Sequence, residues 1–184
     1  MRTFIAVDCN NKENIFNLQQ KILKSVPYFN SSIRPVNIEN LHFTLFFFGD
    51  IENKQLDLIS NKMNEIVFEK FEINYKKIGA FPSFTYPKVI WIGVDEKSER
   101  ELNSLFQLVK FKMEQIDFKP DKQFKPHLTL FRVKRPIANI EQNLNKYNDL
   151  SFDFYDIIDK IHLKKSELFS SGPVYYNILT IFAK

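Results

Sequence analysis

Across 184 residues the chain is 44% apolar and 26% charged, with 20 Phe and 7 Tyr to bury, which excludes disorder as its main state and fits one domain or two small lobes sharing a core. Its 4 glycines (Gly49, Gly79, Gly93, Gly172) are scattered, excluding the clustered glycines of a Walker loop or a dinucleotide fingerprint, and its one cysteine, Cys9, excludes an internal disulfide or a cysteine metal cluster. A net charge of +4 leans toward anionic partners.

Residues Arg2 to Asp8 alternate loosely, with Phe4, Ala6 and Asp8 on one face, and read as a strand. Asn10 and Asn11 are candidate caps for a helix running to about Val26 on the apolar positions Ile15, Leu18, Ile22 and Val26. Pro27 and Pro35 bracket a loop and a short strand. Leu41 to Phe48 predicts an apolar strand interrupted by His42 and Thr44, ended by Gly49 and Asp50, with a second helix over Ile51 to Phe68. Strands return at Phe71 to Lys77 and at Val89 to Val94, on either side of a loop carrying Pro82 and Pro87. The longest helix is expected over Glu96 to Phe118, on the stripe Leu102, Leu105, Phe106, Val109, Met113 and Ile116. Beyond Pro120 and Pro126 come strands at His127 to Val133, Ile157 to Leu163 and Tyr175 to Phe182, the last two separated by the turn Ser170 to Pro173. This order predicts an α+β fold. No apolar run approaches the length of a bilayer span and no signal peptide opens the chain, so a cytoplasmic location is expected.

Two of the predicted strands look alike: Leu41-His-Phe-Thr-Leu45 and Pro126-His-Leu-Thr-Leu130, with His127 lying 85 residues after His42 (127 − 42). Among 3 His and five Thr, two such His-x-Thr hits arise by chance with a probability of about 0.002. The pair hints at duplicated halves. Side chains at i and i+2 of a strand face one side about 6.5–7 Å apart, so two such strands about a pseudo-twofold axis bring two imidazoles and two hydroxyls to one cleft. That set suits a phosphodiester: one imidazole takes a proton from water, the other gives one to the leaving oxygen, and the Thr44 and Thr129 hydroxyls donate to phosphate oxygens. Neither His has an acidic residue or cysteine at ligand spacing, so no metal is expected. His162 lacks the Thr and reads as structural or surface.

These motifs and their flanks resemble the 2H phosphoesterases, and within them the RNA 2′,3′-cyclic phosphodiesterases, historically called 2′-5′ RNA ligases. The matching segments are Arg2 to Asp8, Asn37-Ile-Glu-Asn-Leu-His-Phe-Thr-Leu-Phe-Phe-Phe-Gly49, Gly79 to Pro82, Pro87 to Val94, Phe124-Lys-Pro-His-Leu-Thr-Leu-Phe-Arg132, Ser166 to Leu168 and Gly172 to Tyr176. The resemblance implies a single domain over 1–184, made of two interleaved lobes, each an antiparallel sheet with helices outside and the cleft between. It implies hydrolysis of RNA 2′,3′-cyclic phosphate ends, tRNA fragments among them, to 2′-phosphomonoesters by a monomer without metal or cofactor. His42 is then the proton donor and His127 the proton acceptor, with joining of RNA ends by a 2′-5′ link when an RNA hydroxyl replaces water. The same site acting on a small cyclic nucleotide or ADP-ribose cyclic phosphate, and a non-catalytic module holding RNA ends, are the rival readings. The chain departs from the family pattern at Phe131, where a smaller residue is usual, and at Phe169-Ser-Ser171, where glycines are frequent.

Other residues are candidates for substrate binding. Arg132, five residues after His127, faces away from it on a regular strand and reaches the phosphate only where the strand ends or twists. Phe46 and Phe48 share the face of His42 and Thr44 on a regular strand; Phe46 reads as core, and Phe48 is the candidate to stack a base. Arg34 is a candidate for the cleft rim. The six basic residues between Lys119 and Arg135 form either a track for an RNA backbone or a solvated face.

Overall fold

The computed structural model describes residues 1–25, 29–137, 139–147, 152–170 and 172–184. In chain order the elements are β1 (Arg2–Asp8), α1 (Lys12–Ser25), α2 (Phe29–Ser32), β2 (Ile33–Pro35), β3 (His42–Asp50), α3 (Asn53–Met63), β4 (Phe71–Phe81), β5 (Val89–Val94), α4 (Glu96–Glu114), β6 (Leu128–Val133), α5 (Ile140–Asn145), β7 (Tyr155–Ile158), β8 (Lys160–Phe169) and β9 (Gly172–Phe182), with a 3-10 turn at Ile38–Asn40 before β3. Val26 and Pro27, expected at the end of the first helix, and Ser171 of the last turn lie outside the described residues.

Two antiparallel sheets form, a four-stranded one in the order β3-β1-β8-β9 and a five-stranded one in the order β2-β6-β5-β4-β7. The orders β3-β1-β8 and β6-β5-β4 repeat one plan. In each, a strand, a helix and a returning strand pair with each other (β1-α1-β3 and β5-α4-β6), and the third strand comes from the other half of the chain. Each half therefore contributes to both sheets. The fold class matches the α+β expectation.

Local chemistry sets most element ends. In α4, Asp95 caps the first turn by accepting from the Ser98 N–H at 2.8 Å, and Leu102, Leu105, Phe106, Val109 and Met113 are buried as the stripe predicted. The helix stops at Glu114 rather than Phe118. Asp117 takes a left-handed φ of 62°, its N–H donates to the Glu114 carbonyl and that of Phe118 to the Met113 carbonyl, a Schellman closure made without glycine. The second helix is likewise shorter than expected, Asn53–Met63, because Ile66 and Phe68 are buried from extended chain rather than from helix. The run Ile157 to Leu163 is not one strand. It breaks at Asp159 into β7, which pairs with β4, and β8, which pairs with β1, so the chain changes sheets there.

Asn10 and Asn11 tie β1 to β7, their side-chain amides donating to the carbonyls of Ile157 and Tyr155. Beside them the buried Tyr75 hydroxyl donates to the Asp156 carboxylate at 2.6 Å and meets Cys9 Sγ at 3.4 Å. Burial, with the Asp156 charge, pushes the Cys9 thiol up to about 12, so it packs as an inert apolar group. No helix among the described residues is long and apolar enough to cross a membrane.

Candidate active site

One open cleft of about 800 Å³ is lined by His42 and Thr44 from the first His-x-Thr segment and by His127 and Thr129 from the second. Each imidazole is held in the same way. His42 Nδ1 lies 2.7 Å from the carbonyl oxygen of Asn40, and His127 Nδ1 lies 2.7 Å from that of Lys125. A carbonyl only accepts, so in both rings Nδ1 carries the proton and Nε2 is left to take or give one. The 3-10 turn aims the Asn40 carbonyl: Asn37 caps it by accepting from the Glu39 N–H, and the Asn40 amide donates to the Pro173 carbonyl at 2.8 Å.

Aromatic walls keep each ring in place. His42 packs against Phe4 and edge-on to Tyr175, with centroids 5.0 and 5.2 Å away. His127 meets Phe81 edge-on at 4.9 Å and Trp91 at 6.2 Å, and the Lys125 ammonium lies over both of those rings. Burial disfavours the imidazolium at both sites. It pushes His42 down to about 4 against the pull of the Asn40 carbonyl, and it lowers His127 in the same direction, with the Lys125 charge adding to the effect.

Strict alternation fails beyond each threonine, and the first break is the same in both halves. In β3, Ile5 pairs with Phe46 and Ala6 with Thr44, leaving Leu45 as an extra residue; in β6, Ile90 pairs with Phe131 and Trp91 with Thr129, leaving Leu130 extra. These are β-bulges, and each reverses the facing of the residues beyond it. Leu45 and Phe46 are consecutively buried, as are Leu130 and Phe131. The freed Leu130 carbonyl accepts from the Val36 N–H and from the buried Gln19 amide, both at 2.9 Å. The residues turned back to the cleft are therefore Phe47 and Arg132, again 85 apart (132 − 47).

Arg132 thus lines the cleft despite its odd spacing, and the neighbouring strand sets Arg34 beside it in register, also on the cleft wall. The base-stacking expectation for Phe48 is corrected. Phe48 packs on Phe46 and Phe118 at 4.8 and 5.1 Å and does not line the cleft. Phe47 does; it is 39% exposed, with the Arg2 guanidinium 5.7 Å from its ring centre. Phe46 is core, as read, and Phe131 points wholly into the core, so its departure from the family pattern does not alter the cleft. Phe169 and Ser170 form part of the rim. All six basic residues between Lys119 and Arg135 are exposed, and of them Arg132 reaches the cleft wall. His162 is buried, its Nδ1 2.9 Å from the Thr180 hydroxyl.

The LigT-like phosphoesterase family pattern matches residues 7–91 and again residues 92–175, an offset of 85 (92 − 7) equal to that between the two histidines. The chain belongs to the LigT-like phosphoesterase family. Its double match supports the duplicated halves suggested by the sequence. Among relatives, a protein of Archaeoglobus fulgidus named RNA 2′,3′-cyclic phosphodiesterase is 38% identical over 178 residues, covering 97% of this chain and 98% of its own. A protein of the same name from Methanocaldococcus jannaschii is 33% identical, covering 95% and 96%. The fold matches a Thermus thermophilus crystal structure (TM-score 0.78, 23% identity, 99% and 97% covered) and that of E. coli LigT complexed with 3′-AMP (TM-score 0.78, 20% identity, 99% and 97% covered).

The packing behind His127 in this LigT-like cleft includes a close approach at a glycine. Gly79 faces Trp91 across β4 and β5, and a Cβ there would overlap the indole. Gly79→Ala is expected to displace Trp91, the only tryptophan in the chain, shifting its emission and lowering kcat/KM about 10–100-fold through the loosened His127. Unchanged emission together with unchanged kcat/KM would count against this support.

Proposed function

We propose that the chain hydrolyses RNA 2′,3′-cyclic phosphodiester ends to 2′-phosphomonoesters by acid–base catalysis between two histidines. The observation that carries this reading is the matched pair of imidazoles, each with Nδ1 fixed on a carbonyl and Nε2 free, in one cleft with two threonine hydroxyls. His127 Nε2 takes a proton from water as the water oxygen bonds to phosphorus. The bond from phosphorus to O3′ breaks, and His42 Nε2 returns a proton to O3′, leaving phosphate on O2′ and both histidines ready to reset by exchanging a proton with solvent. Thr44, Thr129 and Arg132 donate to the phosphate oxygens as charge builds on them, and Phe47 stacks the terminal base. With an RNA 5′-hydroxyl in place of water, the same steps form a 2′-5′ link. Both proton transfers use side chains of the chain itself, so neither a metal nor a cofactor has a step to perform.

The test is a short RNA ending in a 2′,3′-cyclic phosphate, incubated with the protein in EDTA, its products separated as 2′- and 3′-phosphates. Conversion to the 2′-phosphate alone is expected. Cleavage of ADP-ribose cyclic phosphate or a cyclic mononucleotide without cleavage of RNA would move the substrate, and tight RNA binding without turnover at any pH would replace the enzyme by a binding module.

The pH dependence comes from the two environments. Turnover needs the donor protonated and the acceptor unprotonated, so activity falls at both extremes of pH. Both histidines are lowered in the free cleft, so the kcat/KM bell is expected wholly on the acid side of the ordinary histidine value of about 6.5. The bound phosphodiester anion favours imidazolium, so the kcat bell lies at higher pH than that of kcat/KM. A kcat/KM optimum above pH 7 would contradict the burial seen here.

A further inference from the structure

Asp8, at the end of β1, stands opposite His42 in the β1–β3 register. Its Oδ2 accepts from Lys164 Nζ at 2.8 Å and lies 3.6 Å from His162 Nε2. Lys164 and His162 are only 5% and 4% exposed. The β1–β8 pairing runs without a bulge from Arg2 opposite Ser166 to Ala6 opposite His162, so Ser166, Lys164 and His162 hold one face of β8. Ser166 lines the cleft, as does Phe4, the cross-strand partner of Lys164 and a wall of His42. The ion pair is therefore built into the floor beside His42. Taking an ammonium out of water is costly unless a charge compensates it, and here the compensating carboxylate is the one nearest His42 along the neighbouring strand.

We propose that Lys164 is a positioning residue for the reaction: by engaging Asp8 it keeps that carboxylate from pairing with His42, so that His42 Nε2 stays available to the substrate. This inference rests on the proposed role of His42 as proton donor. An uncompensated carboxylate beside an imidazole draws its N–H and favours imidazolium, whereas the neutralised pair presents no net charge. The two members act on His42 in opposite senses, Asp8 favouring and Lys164 disfavouring its charged form, with burial the larger influence. Among the described residues, the other charged or titratable groups lining the cleft with His42 are His127, Tyr175, Arg34, Arg132 and, toward the ends of β1 and β3, Arg2 and Asp50. Substitutions at Lys164 and Asp8 leave all of them in place. His162, with Asp159 and Lys160 near it, shares Asp8 with Lys164.

The experiment tracks the His42 ring by NMR titration in the intact chain, so it reads the pair even where turnover is absent and separates failure of this inference from failure of the catalytic reading. Lys164→Met is expected to raise the His42 titration by about one pH unit or more, in the range typical of a nearby opposite charge. Adding Asp8→Asn to Lys164→Met is expected to restore the His42 titration to near its original position, which a merely structural role for Lys164 would not do. Lys164→Gln, which keeps a hydrogen-bond donor toward Asp8, provides a milder variant if the methionine disturbs folding, with the same upward shift expected. A folded Lys164 variant whose His42 titrates as in the unaltered chain, or a double variant displaced as far as the single one, overturns the proposal.

Discussion

His42→Ala and His127→Ala are each expected to lower kcat by about 10²–10⁴, the range for removing a positioned general acid or base, with both proteins folded. The environments explain why neither loss is rescued by the other ring. The two imidazoles have their Nδ1 atoms committed to separate carbonyls, on Asn40 and Lys125, and are walled by separate aromatic pairs. Each Nε2 is therefore confined to its own wall of the cleft. Because the transfers occur within one displacement, the losses are not additive, and the double variant is expected to be little worse than the weaker single one. Both single variants keep Thr44, Thr129 and Arg132, so binding of a 2′-phosphate product measured by calorimetry is expected to weaken far less than kcat falls. A His42→Ala variant with kcat within tenfold of the original would remove His42 from the role of acid.

The pair of histidines is legible in the sequence because its chemistry repeats at period two and the two segments stand 85 residues apart (127 − 42), an interval the fold preserves. Phe47 is not legible by the same rule, since strict alternation from His42 selects Phe46 and Phe48. The bulges at Leu45 and Leu130 reverse the alternation, and their trace in the sequence is the apolar doublet after each threonine, Leu45-Phe46 and Leu130-Phe131, both members buried. Taken together, the doublets identify Phe47 and Arg132 as the residues returned to the cleft. The split of the tail at Asp159 has no such trace: Ile157 to Leu163 is one apolar run by composition, and only pairing with β4 on one side and β1 on the other divides it. The Asp8–Lys164 pair joins residues 156 apart, and no local pattern announces it.

The bulges also make a near-symmetric scaffold unequal at its cleft, and the largest remaining effect is expected there. At equivalent positions one half presents the Phe47 ring and the other the Arg132 guanidinium, so one end of the cleft offers a surface for a base and the other a planar fork of donors. Arg132 is exposed and lines the cleft on the His127 side, with Arg34 across from it on β2. In the proposed reaction its place is at the phosphate oxygens, where charge accumulates as water attacks. Arg132→Ala is expected to reduce kcat/KM about 10²–10³-fold, as for loss of a donor aimed at a developing oxyanion. Arg132→Lys restores the charge but not the two-pronged contact, so it is expected to recover part of that loss and to remain at least tenfold below the arginine. Steady-state kinetics on the cyclic-phosphate RNA decide the matter: equal activity of lysine and arginine would reduce Arg132 to a source of positive potential at the rim, and the direction of the reaction would then have to come from the two histidine environments alone.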